Sequence, residues 1–198
     1  MTQMQQKRYG LILSDPPWSY ATWSDKGKGR SASAWYDTMS LDDICAIPVA
    51  EQVADNSVLL MWAIDSMLPH ALRVIDSWGF TYKTVGFYWV KTTKQGKYFM
   101  GMGHWTRTNP EMCLLATRGK PHRKSAAVRK LIVASRREHS RKPDEAYERI
   151  EQLVDGPYLE MFARQRHPGW DAWGNEVDTG PLNERRWPSD LVEEECLA

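Results

Sequence analysis

Tyr9-Gly-Leu-Ile-Leu-Ser14 runs straight into Asp15-Pro16-Pro17-Trp18. Six mostly apolar residues closed by an acid and two prolines form a buried strand that ends in a loop. Working outward, VLLMWAI (58–64), residues 84–90, EMCLLAT (111–117), KLIVAS (130–135) and YLEMFA (158–163) are further short apolar strands. Between them lie helical patterns. Ser40 caps one at 41–52, with Asp42 and Asp43 in its first turn and Pro48 ending it early. A second covers 66–78 and is closed by Gly79. A third covers 142–154, with Pro143 near its first position and Ile150, Leu153 and Val154 turned inward. Residues 19–39 and 91–110 are Gly- and Lys-rich loops carrying aromatics. Continuous apolar strands alternating with helices predict a single α/β domain, a doubly wound, mostly parallel sheet with helices on both faces. It occupies 1–198, with 179–198 as a C-terminal tail.

Composition narrows the function. The 198 residues are 42% hydrophobic and 26% charged, as in an ordinary globular protein. No apolar run nears the ~20 residues of a membrane span, and the start lacks a signal-peptide core. Three scattered cysteines and five histidines without ligand spacing predict a reduced, intracellular, metal-free protein. No G-x-G-x-x-G opens a helix after a strand, and there is no G-x-x-x-x-G-K-[ST], which excludes dinucleotide redox chemistry and nucleotide hydrolysis. A net charge of +1 argues against a nucleic-acid partner, but the distribution argues for one. Residues 118–142 hold ten Lys and Arg against Glu138 alone, a balance of +9 that leaves −8 for the remainder. Such a segment suits phosphate tracking.

Doubly wound sheets bind ligands beyond the carboxyl ends of their strands. Asp15–Trp18, 135–142 and 164–176 are polar clusters at such ends, and one site built from all three is the simplest arrangement. The two prolines lack N–H groups, so their turn offers carbonyl acceptors with few competing donors, and Asp15 adds a carboxylate. An exposed Trp18 supplies a flat face for a base. Together they would hold the NH₂ of a planar heteroaromatic ring and aim its lone pair at an electrophile. Four residues alone are equally a tight turn around a core tryptophan.

These motifs, with WYDTMS (35–40), WVKT (89–92), GHW (103–105), HSRKPDEAY (139–147), LEMFARQRHPGW (159–170) and WGNEV (173–177) in the same order, resemble the MT-A70 family. The resemblance implies a Rossmann-like methyltransferase fold with permuted motif order. It also implies an S-adenosylmethionine-dependent adenine-N(6) methyltransferase. In it, Asp15 and the Pro16 carbonyl hold the target amine, Pro17 completes the turn and Trp18 stacks on the base. Tyr36 belongs to a loop closing over cofactor and base. Lys142 pairs with the cofactor carboxylate, Phe162 lines its pocket and Arg164 reaches its ribose. His167 lies near a ribose-binding position, Asn175 contacts ribose and adenine, and Glu176 accepts from ribose hydroxyls; Asp15 also borders the cofactor. Longer relatives carry an upstream Asp on the cofactor adenine, and only fourteen residues precede Asp15, so that contact is expected to be absent or made by another group.

The substrate expected is nucleic acid, DNA in preference to RNA, with no membrane partner and a homodimer or partner subunit left open. The expected setting is the cytoplasm of a bacterial or phage-infected cell. A non-catalytic nucleic-acid-binding subunit would carry a degraded D-P-P-W, and an N(4)-cytosine enzyme a Ser at its first position; neither departure occurs. Cys113 is expected to be a buried hydrophobe, His104 a loop residue, and Trp62, Trp78 and Trp89 core residues.

Overall fold

In a computed structural model the structure is described at residues 8–18, 38–103, 105–138, 141–174 and 177. Tyr36, His104, Asn175, Glu176 and the tail 179–198 therefore lie outside the described residues, as does most of the loop 19–39.

Seven strands form one mixed sheet: β1 (Tyr9–Ser14), β2 (Val53–Ala63), β3 (Thr81–Thr92), β4 (Glu111–Arg118), β5 (Leu131–Ser135), β6 (Tyr158–Met161) and β7 (Trp170–Trp173). Their order across the sheet is β5-β3-β4-β2-β1-β6-β7. Six were expected; β7 is an addition. β1 runs parallel to β2 and β6, β6 to β7, and β3 to β5. β4 is antiparallel to both neighbours, β2 and β3. The reason is its connection: 93–110 turns back at the edge where β3 ends, so no crossover restores the strand direction.

Three helices accompany the sheet: α1 (Leu41–Ala46), α2 (Leu68–Ser77) and α3 (Glu145–Leu153). The Ser40 hydroxyl accepts from the Asp43 N–H at 3.1 Å, the expected N-cap, and α1 stops before Pro48. Gly79, at φ 77°, ends α2 with the Phe80 N–H donating to the Ile75 carbonyl. Alternation along β2 divides the interior. Leu59, Met61 and Ala63 share a buried cluster with Ile44 of α1 and Ala71, Val74 and Ile75 of α2. Val58, Leu60 and Trp62 share another with Ala146, Tyr147 and Ile150 of α3. Trp78 and Trp89 are buried as expected, their indole N–H groups donating to the carbonyls of Ile44 and Ala134.

The inverted β4 matters for function. Its first residue, Glu111, lies opposite Trp89, near the carboxyl end of β3, and so stands at the edge where the parallel strands finish. The chain leaves β1 for β2 on one side and β6 for β7 on the other. The crevice between the carboxyl ends of β1 and β6 is therefore the topological switch point.

Candidate active site

At that switch point β1 delivers Asp15 and the segment before α3 delivers Lys142. The Lys142 ammonium lies 2.5 Å from Asp15 Oδ2, 3.4 Å from Glu111 Oε2 and 5.5 Å above the Trp62 ring centroid. Lys91, at the end of β3, pairs with the other Glu111 oxygen. The result is a linear chain of alternating charge: Lys91, Glu111, Lys142, Asp15. Burial pulls the Lys142 ammonium toward neutrality, but Asp15 and Glu111 outweigh it and hold its pKa above the usual lysine range. Burial likewise pushes Glu111 up, and the two lysines bring it below the ordinary carboxylate range. A half-buried lysine ionised this firmly is a fixed positive charge at the mouth of the crevice.

The turn itself departs from expectation. The Pro16 carbonyl already accepts from the Trp18 N–H at 2.8 Å, and the Pro17 carbonyl from the Met39 N–H at 3.1 Å. Each carbonyl keeps a second lone pair, so Pro16 can still accept one external N–H. Trp18 is 6% exposed and belongs to the α1/α2 cluster, not to an open surface. The expectation of an exposed ring is corrected: the bridge between Trp18 and Met39 draws the indole inward. Its Nε1 is buried without a hydrogen-bond partner.

A second carboxylate was passed over by sequence reasoning. Glu160 of β6 sits beside Leu13 in register, and its Oε1 accepts from the Tyr147 hydroxyl at 2.9 Å. Its Oε2 is buried with no partner, as is the Ser14 hydroxyl at the end of β1. Burial pushes the Glu160 carboxyl up to about 7; Asp15 adds to the rise, while the Tyr147 hydrogen bond and Lys142 act against it. The signal was an acid inside an otherwise apolar strand, and the same signal marked Glu111. After β6, Phe162 takes φ 61°, a conformation that bulky residues rarely adopt and that concentrates at functional sites. It meets Trp173 edge-on at 5.5 Å. Gly174 packs under this turn, where an added Cβ would lie 2.3 Å from the Ala163 carbonyl oxygen.

Arg164 is half-buried just past the end of β6, on the same edge. His167 goes elsewhere. It stacks on Tyr147 with centroids 4.2 Å apart, lies edge-on to Trp170 and approaches Glu151 at 3.9 Å. It sits in an aromatic cluster formed with Tyr147 and Trp170. Cys113 is fully buried, and burial raises its thiol well above the ordinary range, which makes it a packing residue.

The basic segment is also redistributed. Arg118 ends the antiparallel β4 opposite Ser57, at the far edge of the sheet, and Lys124 pairs there with Asp155. Only residues beyond β5 return to the site edge. Among them Arg137 and Arg141 pair with Asp144, and Lys142 with Asp15. A stretch continuous in sequence is thus split by β4 and β5 into two edges.

The MT-A70 family pattern matches residues 9–176, from the start of β1 to just beyond β7. The chain is 31% identical over 193 residues to the Type II methyltransferase M.MunI of Mycoplasma sp., covering 88% of this chain and 80% of that protein. It is 30% identical over 176 residues to the N(6)-adenosine-methyltransferase MT-A70-like protein of Arabidopsis thaliana, covering 86% of this chain and 24% of that one. It is 27% identical over 179 residues to the human N(6)-adenosine-methyltransferase catalytic subunit METTL3, covering 86% and 28%. The chain thus spans about a quarter of the length of the plant and human relatives. Both ends of the switch-point crevice, Asp15 and Phe162, fall inside the matched span, and the chain belongs to the MT-A70 family.

Proposed function

We propose that this chain transfers a methyl group from S-adenosylmethionine to the 6-amino group of adenine in DNA. It is an adenine-N(6) methyltransferase acting on nucleic acid. The finer preference for DNA is supported by the relative matched along most of its own length, a Type II methyltransferase. The observation that carries the reading is the Lys142–Asp15 contact at the switch point.

The residues suit the methyl donor. Its amino-acid head needs a cation for the carboxylate and an acceptor for the ammonium; Lys142 supplies the first, and the buried, unpaired Oε2 of Glu160 the second. Phe162 and the Gly174 turn form an apolar wall beside them. S-adenosylmethionine, when bound, supplies a methyl carbon made electrophilic by its sulfonium. Lys142 then exchanges Asp15 for the head carboxylate while Glu111, 3.4 Å away, retains it. Asp15, so released, accepts one N–H of the adenine amine, and the free lone pair of the Pro16 carbonyl accepts the other. Asp15 and the Pro16 carbonyl would thus orient both N–H bonds and leave the nitrogen lone pair free to receive the methyl group. The bound donor would supply its methyl carbon to the amine nitrogen and leave as the neutral thioether, and Asp15 would be the adjacent carboxylate for the proton the amine sheds. Trp18, at 6% exposure, backs the turn from the core side, and its stacking on the base is what the family resemblance implies. Tyr36, Asn175, Glu176 and Arg164 complete the site in this reading, as the family resemblance implies; His167 braces it through Tyr147.

Helix residues divided between the two buried clusters, α1 and α2 in one and α3 in the other, support a doubly wound, Rossmann-like arrangement with helices on both faces. One sheet drawing strands from residues 9 to 173 supports a single methyltransferase domain. No helix among the described residues is long and apolar enough to cross a membrane.

The test is purified protein with isotopically labelled methyl donor and matched DNA and RNA, followed by nucleoside mass analysis. N(6)-methyladenine is expected in DNA, with Asp15→Ala reducing the rate on the order of 10³-fold or more while oligonucleotide affinity stays within threefold. Product in RNA alone would move the substrate assignment to RNA, and no N(6)-methyladenine in either would defeat the reading.

A further inference from the structure

The connection from β3 to β4 is built as a presenting arm. Its base is latched: the Asn109 side chain accepts from the Lys91 N–H at 3.0 Å and donates to the carbonyls of Lys91 and Phe99. The two limbs are joined by the Phe99 N–H to Lys91 carbonyl bond, by the Thr92–Tyr98 bridge, and by the Gly101 N–H donating to Thr108 at 2.8 Å. Gly103 lets the tip close, since a Cβ there would lie 1.9 Å from the Thr106 carbonyl oxygen. Arg136, arriving from β5, covers the Phe99 ring at 3.9 Å.

This ordered backbone displays side chains that a soluble surface ordinarily hides. Trp105 is fully exposed, and Tyr98, Met100 and Met102 are more than half exposed. Lys94, Lys97 and Arg107 are interspersed with them, and no acid occurs from Thr92 to Pro110. None of these three cations makes an ion pair among the described residues. The arm springs from the carboxyl edge of the sheet, with Lys91 and Glu111 at its base linked through Lys142 to Asp15. Flat rings separated by unpaired cations are the chemistry of a nucleic-acid strand, whose bases stack and whose phosphates need counter-charge. The aromatics, methionines and Arg107 alone would also suit a protein interface, but Lys94 and Lys97, with no acid between Thr92 and Pro110, do not, because lysine is depleted at such interfaces.

Resting on the methyltransferase reading above, we propose that the 93–108 arm binds the single-stranded nucleotides flanking the target adenine, Trp105 and Tyr98 stacking on bases and Lys94, Lys97 and Arg107 holding phosphates. An enzyme that must present an unpaired adenine to Asp15 gains a platform that keeps the neighbouring bases unstacked from their partners.

The experiment compares the full chain with Tyr98→Ala/Trp105→Ala and with Lys94→Gln/Lys97→Gln. Fluorescence anisotropy uses a labelled 20-nucleotide single-stranded DNA with one adenine, the same sequence as RNA, and the duplex. Calorimetry reports methyl-donor affinity. The aromatic variant, which removes two stacking rings, should bind the single strand more weakly by on the order of 30-fold or more, with methyl-donor affinity within twofold. The lysine variant should lower the dependence of log affinity on log salt by about 1.4. Wild-type binding with both variants within twofold of it overturns the arm alone and leaves the methyltransferase reading standing. If wild type binds no oligonucleotide, both fall. Gel filtration showing an oligomer broken by the aromatic variant, with strand affinity unchanged, overturns the arm in favour of self-association.

Discussion

Burial in β6 makes Glu160 the acid whose protonation couples most directly to folding. Its carboxyl is raised to about 7 from an ordinary 4.5, so between those values the folded protein binds more protons than the unfolded chain. Stability contributed by the neutral carboxyl is complete at low pH and declines as pH climbs from about 4.5 through about 7. The full span corresponds to about 3 kcal/mol. Denaturant unfolding of the ligand-free protein at pH 5 and pH 8, set against Glu160→Gln, should show the variant losing this component of the pH dependence. A flat difference between the two proteins would remove Glu160 from the titration. If its Oε2 accepts the donor's ammonium, binding at pH 6 should also release about one proton, measured by calorimetry in buffers of different ionisation heat. Glu160→Gln should release none. Residue chemistry was legible where position alone determined it: Asp15 at a strand end and Lys142 before a helix are both at the crevice. Glu160 was hidden inside an apolar run and Glu111 at the head of one, and only pairing shows which edge or face an acid occupies. His167 packs into the aromatic cluster through Trp170, three residues on, and through Tyr147 of α3, a ring that only the fold brings to it.

At the scale of elements, the two turns closed by glycines should respond differently to the same substitution. Gly119 follows β4 at the far edge, has φ +61°, and would place a Cβ 2.3 Å from the Asp55 carbonyl oxygen. Gly119→Ala should cost about 2–4 kcal/mol in unfolding free energy, with methyl-donor affinity unchanged in the folded fraction. Gly174→Ala meets Ala163 at 2.3 Å instead, behind the Phe162 turn at the crevice. That change should weaken methyl-donor binding as well as stability, and equal affinities for the two variants would detach the turn from the site. The elements themselves show what an apolar pattern can carry. β1, β2, β5 and β6 were legible as short apolar runs, and Ser40 and Gly79 as caps. Strand direction was not, since EMCLLAT is equally apolar in either sense and only the hairpin-like return from β3 inverts it. β7 was missed because Trp170-Asp-Ala-Trp173 is too short and too polar to form a run.

For the whole molecule, the distribution of charge between two edges decides how the enzyme meets a polyanion. The near-neutral total conceals a basic segment, but the fold sends half of that segment to the edge opposite the crevice and neutralises Arg137, Arg141 and Lys142 with acids. Among the described residues, the cations near the site edge without a carboxylate partner include Lys94, Lys97, Arg107 and Arg136, three of them from the arm rather than from residues 118–142. Four phosphate contacts predict a modest salt dependence, a slope near −3 for a single strand and about −3.6 for a duplex in log affinity against log salt. Titrating wild-type protein with oligonucleotide from about 50 to 200 mM salt should therefore cost about 50- to 150-fold in affinity. A slope steeper than about −6 would mean that Lys120, Arg123, Arg129 and Lys130 also touch the strand, which requires nucleic acid to wrap from one edge of the sheet to the other. Shallow dependence with strong loss on removing Trp105 would identify stacking, not charge, as the larger part of strand recognition.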